Sequence, residues 1–353
     1  MKAEKDMEFL QSRNTSFDLL RIVAAIMVVM LHVAASKWHA MLPDRTEWMA
    51  MNFYDCLARS AVPLFFMLSG AFMLKKDIPL KTLYLKKILP LILIYLSWSF
   101  LYAIDDIGFA NLHTVDIEYI TTATINSHFH LWFIPVLIGV YILQPVLRAI
   151  VDYKDGTYVK YLLGVFFLFG IARSTVLLFV TDANATSLLT RITVELTSYA
   201  GYVVLGYYLA NMHKRQYKPW VLLIGFVVVV SITAYICQMD ALLKGRPEGL
   251  LYGEFTIATF LEAVCLFLFF KNLKCSYSLG AKKIIYHIAS WTFGIYLLHP
   301  FLIYQLEKRF SLNILSYNTT LAIPINTVLI VAICFLVISI LSQIPVVKRL
   351  CKY

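Results

Sequence analysis

Arg21 and His32 are two ionisable residues in the first long apolar run of the chain, residues 17–35. They are eleven positions apart, about three helical turns, so both side chains are expected on one helix face. A histidine can act as a general base towards a hydroxyl group, and a guanidinium keeps its charge and binds anions such as phosphate. Asp18, one turn before Arg21, is an alternative partner, and the sequence leaves open whether Arg21 pairs with Asp18 or with a ligand.

A second apolar run contains Arg59, Pro63, Ser69 and Gly70. Proline removes a backbone donor, and the small Ser69 and Gly70 permit close helix approach, so this run is expected to bend around a cavity. Arg59 has a structural alternative, because an interfacial arginine can also extend towards water.

Three further polar residues, His130, Trp132 and His299, lie in later apolar runs, and Pro300 follows His299. His32, Arg59, His130 and His299 are expected at a similar depth, as a site that opens to one side would require. His130 and Trp132 also fit an interfacial aromatic belt, and His32 also fits a plain helix-to-helix hydrogen bond. We expect His128 to be an exposed loop residue.

The composition predicts the class of protein that holds these residues. The chain has 353 residues, of which 60% are hydrophobic and only 15% are charged, which excludes a water-soluble fold and indicates an all-α polytopic membrane protein. Ten apolar runs have the length of a membrane-spanning helix, and we expect these helices to surround a central cavity. The predicted spans are residues 16–36, 53–74, 84–104, 131–150, 158–178, 195–212, 219–238, 252–271, 285–305 and 322–345.

Loop charges predict the orientation of these spans. Lys and Arg concentrate in alternate loops, which carry 21 of the 31 basic residues, and such loops are usually cytoplasmic. Both termini are therefore expected in the cytoplasm. The formal charge of +10 then reflects topology and attraction to anionic membrane lipids, and we expect no nucleic acid as a partner.

The remaining patterns exclude several other kinds of site. The six Cys residues form no CxxC pair, so neither a disulfide framework nor a metal site is predicted. His39 and Asp44 form an HxxxxD string, which we interpret as coincidental because it lies in a predicted outward loop. We expect one membrane domain over residues 1–353, with no appended soluble domain.

At these residues the chain resembles the acyltransferase-3 family of integral membrane O-acyltransferases. It resembles notably the short bacterial members that O-acetylate surface glycans such as enterobacterial common antigen. Five strings in the expected order support the resemblance. They are Ser16 to Arg21 with Leu31-His32, Arg59 with Val62 to Phe66 and Ser69-Gly70, His130 to Phe133, Gly206 to Tyr208, and Phe293 to Pro300.

The resemblance implies that Arg21 and His32 form the Arg-x10-His catalytic pair of the family, with acetyl-CoA as the donor substrate and no permanently bound cofactor. It also implies a multi-pass protein of the bacterial cytoplasmic (inner) membrane that modifies a cell-envelope polysaccharide or lipid-linked saccharide. Where many members have Arg-x-x-Arg, this chain has Tyr84 to Lys87, which leaves Lys87 as the matching cation for the donor. We expect Arg59, Ser69, His130, Trp132 and His299 to contact the acceptor.

Other classes of protein also combine buried charges with helix-interior prolines. A transporter or flippase for a glycan or lipid-linked precursor is the main alternative, although no inverted repeat is visible in the sequence. A receptor or scaffold that only binds glycan is another. The separation of Arg21 and His32 along the helix axis, about 16 Å, is similar to the length of an extended pantetheine arm and favours the enzyme.

Overall fold

Helices account for all the regular secondary structure in the computed structural model, which describes residues 8–108, 111, 113–153, 155–180 and 199–351. An all-α fold was the prediction, and no strand occurs in these ranges. The α-helices of seven or more residues are α1 Thr15–Ala35, α2 Thr46–Ala58, α3 Ala61–Met73, α4 Leu89–Ile107, α5 Ile117–Asn126, α6 Phe133–Asp152, α7 Thr157–Val165, α8 Tyr199–Tyr207, α9 Pro219–Lys244, α10 Ile257–Asn272, α11 Leu279–Ala289, α12 Thr292–Phe310, α13 Thr319–Leu341 and α14 Pro345–Cys351.

Seven helical segments of the described residues are long and apolar enough to cross a membrane. They coincide with seven of the ten predicted spans. The other three predicted spans differ in their details: α10 has only 16 residues, α12 ends in a charged turn with Lys308 and Arg309, and residues 195–198 of the span 195–212 lie outside the described ranges. Residues 1–7 and 352–353, which include the two termini predicted to be cytoplasmic, also lie outside the described ranges.

Helix α1 runs without interruption for 21 residues. Its first turn is capped by the Asn14 side chain, which accepts a hydrogen bond from the backbone N–H of Phe17 at 3.1 Å. Because no kink interrupts the helix, residues three, four, seven and eleven positions apart share one face. Arg21 and His32 therefore point towards the same side of the bundle, as predicted.

The second apolar run, which was expected to bend, is interrupted by a short turn. Helix α2 ends at Ala58 and α3 begins at Ala61, so Arg59 and Ser60 form a turn inside the run. Pro63 lies in the first turn of α3, where its missing N–H has no helical carbonyl to bond. The break therefore occurs just before the proline, and α3 packs beside α1.

Two glycines allow α3 and α8 to pack with their backbones in contact. A Cβ atom at Gly70 would overlap the backbone carbonyl of Val203, and a Cβ atom at Gly206 would overlap the backbone of Met67. Because both obstacles are backbone atoms within helices, neither can rotate away. The predicted close approach at Gly70 is confirmed, and Gly206 is its counterpart on the other helix.

We expect Gly206→Ala to lower the stability of the folded protein by about 1–3 kcal/mol, because the added methyl group must force the two helices apart. Gly164→Ala is the matched control, since a Cβ atom there would meet nothing within 4 Å. Alanine at Gly164 should be neutral or stabilise the helix by up to about 1 kcal/mol. Thermal unfolding of both variants in the same detergent measures the difference, and equal melting temperatures would contradict this packing.

Candidate active site

A cavity of about 1070 Å³ runs beside α1. This volume slightly exceeds the range of about 300–1,000 Å³ that is usual for small-molecule sites. Six residues of α1 and its cap line the cavity, namely Asn14, Phe17, Asp18, Arg21, Val28 and His32. The structure thus brings Arg21 and His32 to one wall of a single cavity.

One end of the cavity is strongly basic. The start of α1, the end of α3 and the turn just before α4 meet there, so three chain segments contribute cations. Among the described residues, the lining contains one carboxylate, Asp18, and five cations, which we call the basic mouth: Arg13, Arg21, Lys75, Lys76 and Lys87. An excess of positive charge around a partly dehydrated opening favours a ligand that carries several negative charges.

The Asp18 carboxylate contacts both Arg13 and Arg21, but only Arg13 donates hydrogen bonds to it. Arg13 donates two hydrogen bonds to it, from Nε at 2.5 Å and from Nη2 at 2.7 Å, and Arg21 approaches the carboxylate only to 3.7 Å. Arg13 also lies over the ring of Tyr286, at 4.4 Å from the centroid. Of the two alternatives that the sequence left open for Arg21, the ion pair with Asp18 is present, at 3.7 Å and without a hydrogen bond, and binding of an anionic ligand by Arg21 stays a prediction.

His32 lies further along the cavity and contacts a second histidine. Its Nδ1 atom is 2.9 Å from the backbone oxygen of Val28 and 3.1 Å from Nε2 of His299. The ring of Phe129 packs against His32, with centroids 5.4 Å apart. Protein groups therefore contact the imidazole on its Nδ1 side, and the remainder of the ring lines the cavity.

Three of the predicted acceptor residues line the same cavity: Ser69, His130 and Trp132. His130 is almost wholly buried, and its Nδ1 atom is 2.7 Å from Nδ1 of His128. His128 was expected to be an exposed loop residue; it does lie in the loop before the turn Phe129–Trp132, but it is only partly exposed. Its ring stacks on Tyr102 with centroids 4.3 Å apart, which removes part of the side chain from solvent.

Arg59 lies outside the lining of this cavity. It forms an ion pair with the buried Asp55, one turn earlier on α2, and its guanidinium lies 4.1 Å from the ring centroid of Tyr252. The alternative, in which Arg59 extends towards water at the membrane interface, does not describe this arrangement, because both of its partners are buried. Its contact with an acceptor stays a prediction.

His299 is wholly buried behind His32 and is also outside the cavity lining. Its Nδ1 atom lies 2.8 Å from the backbone oxygen of Tyr296 and 3.2 Å from that of Ile295. Both ring nitrogens therefore face protein groups. A direct contact between His299 and an acceptor stays a prediction.

Sequence patterns do not identify several of the residues that line the cavity. In the sequence, Arg13, Lys75 and Lys76 stand out only as loop charges, and no motif marks Asn211 or Tyr286. Lys87 and Asn211 lie in π-helical turns, Tyr84–Ile88 and Tyr208–Met212, and such turns often occur at functional sites. A π-helical turn shifts the face on which a residue lies, which helical periodicity alone does not reveal.

Comparison with known proteins identifies the family. Residues 14–339 match the model of the acyltransferase-3 family, which is described as an acyltransferase domain. The chain belongs to the acyltransferase-3 family. No curated protein and no solved structure matches the chain.

Membership of the acyltransferase-3 family implies membrane acyltransferase activity. The matched residues include the whole of α1 to α12 and nearly all of α13, so the family region contains every residue of the basic mouth except Arg13, together with His32. The helical segments of membrane length agree with a multi-pass membrane protein of this family.

Proposed function

We propose that this acyltransferase transfers an acetyl or similar short acyl group from cytoplasmic acyl-CoA to a hydroxyl of a cell-envelope glycan or lipid-linked saccharide. Surface glycans such as enterobacterial common antigen are the proposed class of acceptor. The observation that supports this most is the shared cavity, in which a basic mouth suited to the CoA phosphates continues to a histidine suited to activate a hydroxyl.

The proposed membrane arrangement is ten spans with both termini in the cytoplasm of a bacterium and the protein in its inner membrane. The distribution of Lys and Arg among the loops supports this orientation. The basic mouth then faces the cytoplasm, where acyl-CoA is found. The acceptor approaches His32 from the opposite side, past Trp132 and His130.

In the proposed reaction, Arg21 and Lys87 bind the phosphates of acyl-CoA and the pantetheine arm extends along α1 to His32. His32 takes the proton of the acceptor hydroxyl while its oxygen attacks the thioester carbonyl. The new C–O bond forms, the C–S bond breaks, and the departing thiolate of CoA takes the proton from His32. The reaction therefore needs no other reactant and returns the histidine to its neutral form.

The test of this proposal is acyl transfer by the purified protein in proteoliposomes that contain a lipid-linked glycan acceptor. Radiolabelled acetyl-CoA should yield labelled glycan and free CoA in equal amounts. Movement of the glycan across the membrane without acetyl-CoA, and without labelled product, would favour the flippase instead. Mass spectrometry of envelope glycans from cells with and without the protein then identifies the acetylated sugar.

Lys87 and Lys86 form a matched pair for testing the donor site. Lys87 is half-buried and lines the cavity, whereas Lys86, its neighbour in the same π-helical turn, is exposed. We expect Lys87→Gln to raise the KM for acyl-CoA about tenfold, which corresponds to about 1.4 kcal/mol, because a charged hydrogen bond to phosphate is lost. Lys86→Gln should leave KM unchanged, and an equal effect of both substitutions would contradict a specific donor contact at Lys87.

A further inference from the structure

Pro300 leaves one carbonyl of α12 without its usual partner. In an α-helix the oxygen of residue 296 accepts a hydrogen bond from the N–H of residue 300, and proline has no N–H. Pro300 lies in the interior of α12, and the freed oxygen of Tyr296 is 2.8 Å from Nδ1 of His299. The side chain next to the proline therefore takes the place of the missing backbone donor.

This contact determines which nitrogen of His299 carries the proton. Nδ1 of His299 faces two carbonyl oxygens, those of Tyr296 and Ile295, and a carbonyl can only accept a hydrogen bond. In the neutral ring, Nδ1 must therefore carry the hydrogen and Nε2 must carry the lone pair. That lone pair points at Nδ1 of His32, 3.1 Å away.

The same reasoning then applies to His32. Its Nδ1 faces two acceptors, the Nε2 lone pair of His299 and the oxygen of Val28 at 2.9 Å. Nδ1 of His32 must therefore carry the hydrogen, which leaves the lone pair of His32 on Nε2. Because the Nδ1 side of the ring is held by protein, Nε2 is the nitrogen available to the cavity that His32 lines.

We infer that His299, held by the oxygen that Pro300 frees, is a positioning residue that keeps His32 in the tautomer with its basic nitrogen towards the substrate. When Nε2 takes a proton from the acceptor hydroxyl, both nitrogens of His32 become donors, and the neutral Nε2 of His299 remains an acceptor for the positive ring. This inference rests on the proposed role of His32 as a general base. It gives His299 a role behind the catalytic histidine, away from the acceptor.

The enzymatic test uses His299→Leu and His299→Gln. Leucine cannot accept a hydrogen bond from His32, whereas the amide oxygen of glutamine can. In Ser–His–Asp enzymes the loss of the group that holds the histidine tautomer lowers kcat by about 10⁴-fold, and here the Val28 oxygen remains, so we expect a fall of about 10²-fold for leucine. The KM for acyl-CoA should stay within about twofold, because the basic mouth is untouched.

We expect the kcat of His299→Gln to be at least about tenfold higher than that of His299→Leu. Pro300→Ala should lower kcat less than His299→Leu, because it returns a backbone donor to Tyr296 without removing the imidazole. If both variants at position 299 fold and have equal kcat, or if the KM for acyl-CoA rises while kcat is constant, the positioning role is wrong.

Nitrogen NMR of the protein labelled with ¹⁵N-histidine in nanodiscs tests the tautomer without relying on activity. The signals of His32 are assigned by their loss in His32→Gln. Wild-type His32 should show a protonated Nδ1 and an unprotonated Nε2, and His299→Leu should shift the Nδ1 signal and increase the fraction with a protonated Nε2. A protonated Nε2 in the wild-type protein, or His32 signals unchanged in His299→Leu, would overturn the inference.

The two measurements separate this inference from the proposed function. A wild-type protein that transfers no acyl group overturns the proposed reaction, and the NMR signals then still decide the tautomer. If the wild-type protein transfers acyl groups and His299→Leu transfers them equally well, the positioning role alone is overturned.

Discussion

Replacement of His32 by alanine is expected to lower the kcat of acyl transfer by about 10²- to 10⁴-fold, the usual contribution of a general base. His32 lines the cavity beyond the basic mouth, so its imidazole is the group that can take the hydroxyl proton at the end of the donor path. Initial rates with radiolabelled acetyl-CoA and saturating acceptor measure the effect. His32→Gln should be equally inactive, because an amide can form a hydrogen bond but cannot accept the proton.

His39→Ala is the matched control for this prediction. His39 is exposed, lies in the short helical turn Trp38–Ala40 just after α1, and does not line the cavity. It also belongs to the HxxxxD string that we interpret as coincidental. We expect wild-type kcat for His39→Ala, and the donor KM should be unchanged in both histidine variants. Full activity of His32→Ala, or loss of activity in His39→Ala alone, would contradict the assignment of the base.

Replacement of Arg21 by glutamine is expected to raise the KM for acyl-CoA about 10- to 100-fold, because hydrogen bonds to a charged group contribute about 1.5–3 kcal/mol. Arg21 lies in the cavity wall, and the nearest carboxylate is already bound by Arg13. Its guanidinium is therefore placed to bind phosphate. Arg21→Lys should show a smaller rise in KM, since lysine keeps the charge but lacks the planar pair of donors.

Arg246→Gln is a suitable control for the loss of one positive charge. Arg246 follows α9, has a side chain that is 70% exposed, and contacts Glu248 rather than the cavity. We expect its KM and kcat to equal those of the wild type. If Arg21→Gln changes neither parameter, or if Arg246→Gln raises the donor KM equally, then Arg21 does not bind the donor and the effect is one of net charge.

Local patterns in the sequence predicted the parts of this site that depend on a single helix. The eleven-residue spacing placed Arg21 and His32 on one face because α1 has no kink, and Pro63 indicated the break before α3. The choice of Lys87 over Lys86 followed from the family resemblance, and the structure puts Lys87 rather than Lys86 on the cavity wall. Each of these inferences needed only helix geometry or the match of a short string.

Contacts between distant segments could not be predicted in the same way. His32 and His299 are 267 positions apart, and only the packing of α12 against α1 brings their rings together. Arg59 shows the converse, because its partner Asp55 is four residues away, a spacing from which helix geometry alone predicts an ion pair. The basic mouth required the ends of three helices to meet, which the loop charges of Lys75 and Lys76 did not indicate.

The alternation of loop charges and the helices of membrane length agree on the class of protein but differ in detail. The sequence predicts ten spans, and seven helical segments of the described residues have the required length and composition. Short helices such as α10, with 16 residues, are apolar enough but do not reach the usual length of about 20 residues. A helix of this length can still lie within the membrane when neighbouring helices surround it, because its ends then contact protein and need not reach water.

Photo-cross-linking with an acyl-CoA whose short acyl chain carries a diazirine tests the central claim most directly. This claim is that the donor enters at the basic mouth and presents its acyl group at His32. We expect the label on peptides that contain His32, Val62 to Ser69 or His130 to Phe133, with loss of labelling in excess acetyl-CoA and weaker labelling in Arg21→Gln. Label found only on lipid-facing helices, and not displaced by acetyl-CoA, would contradict the account.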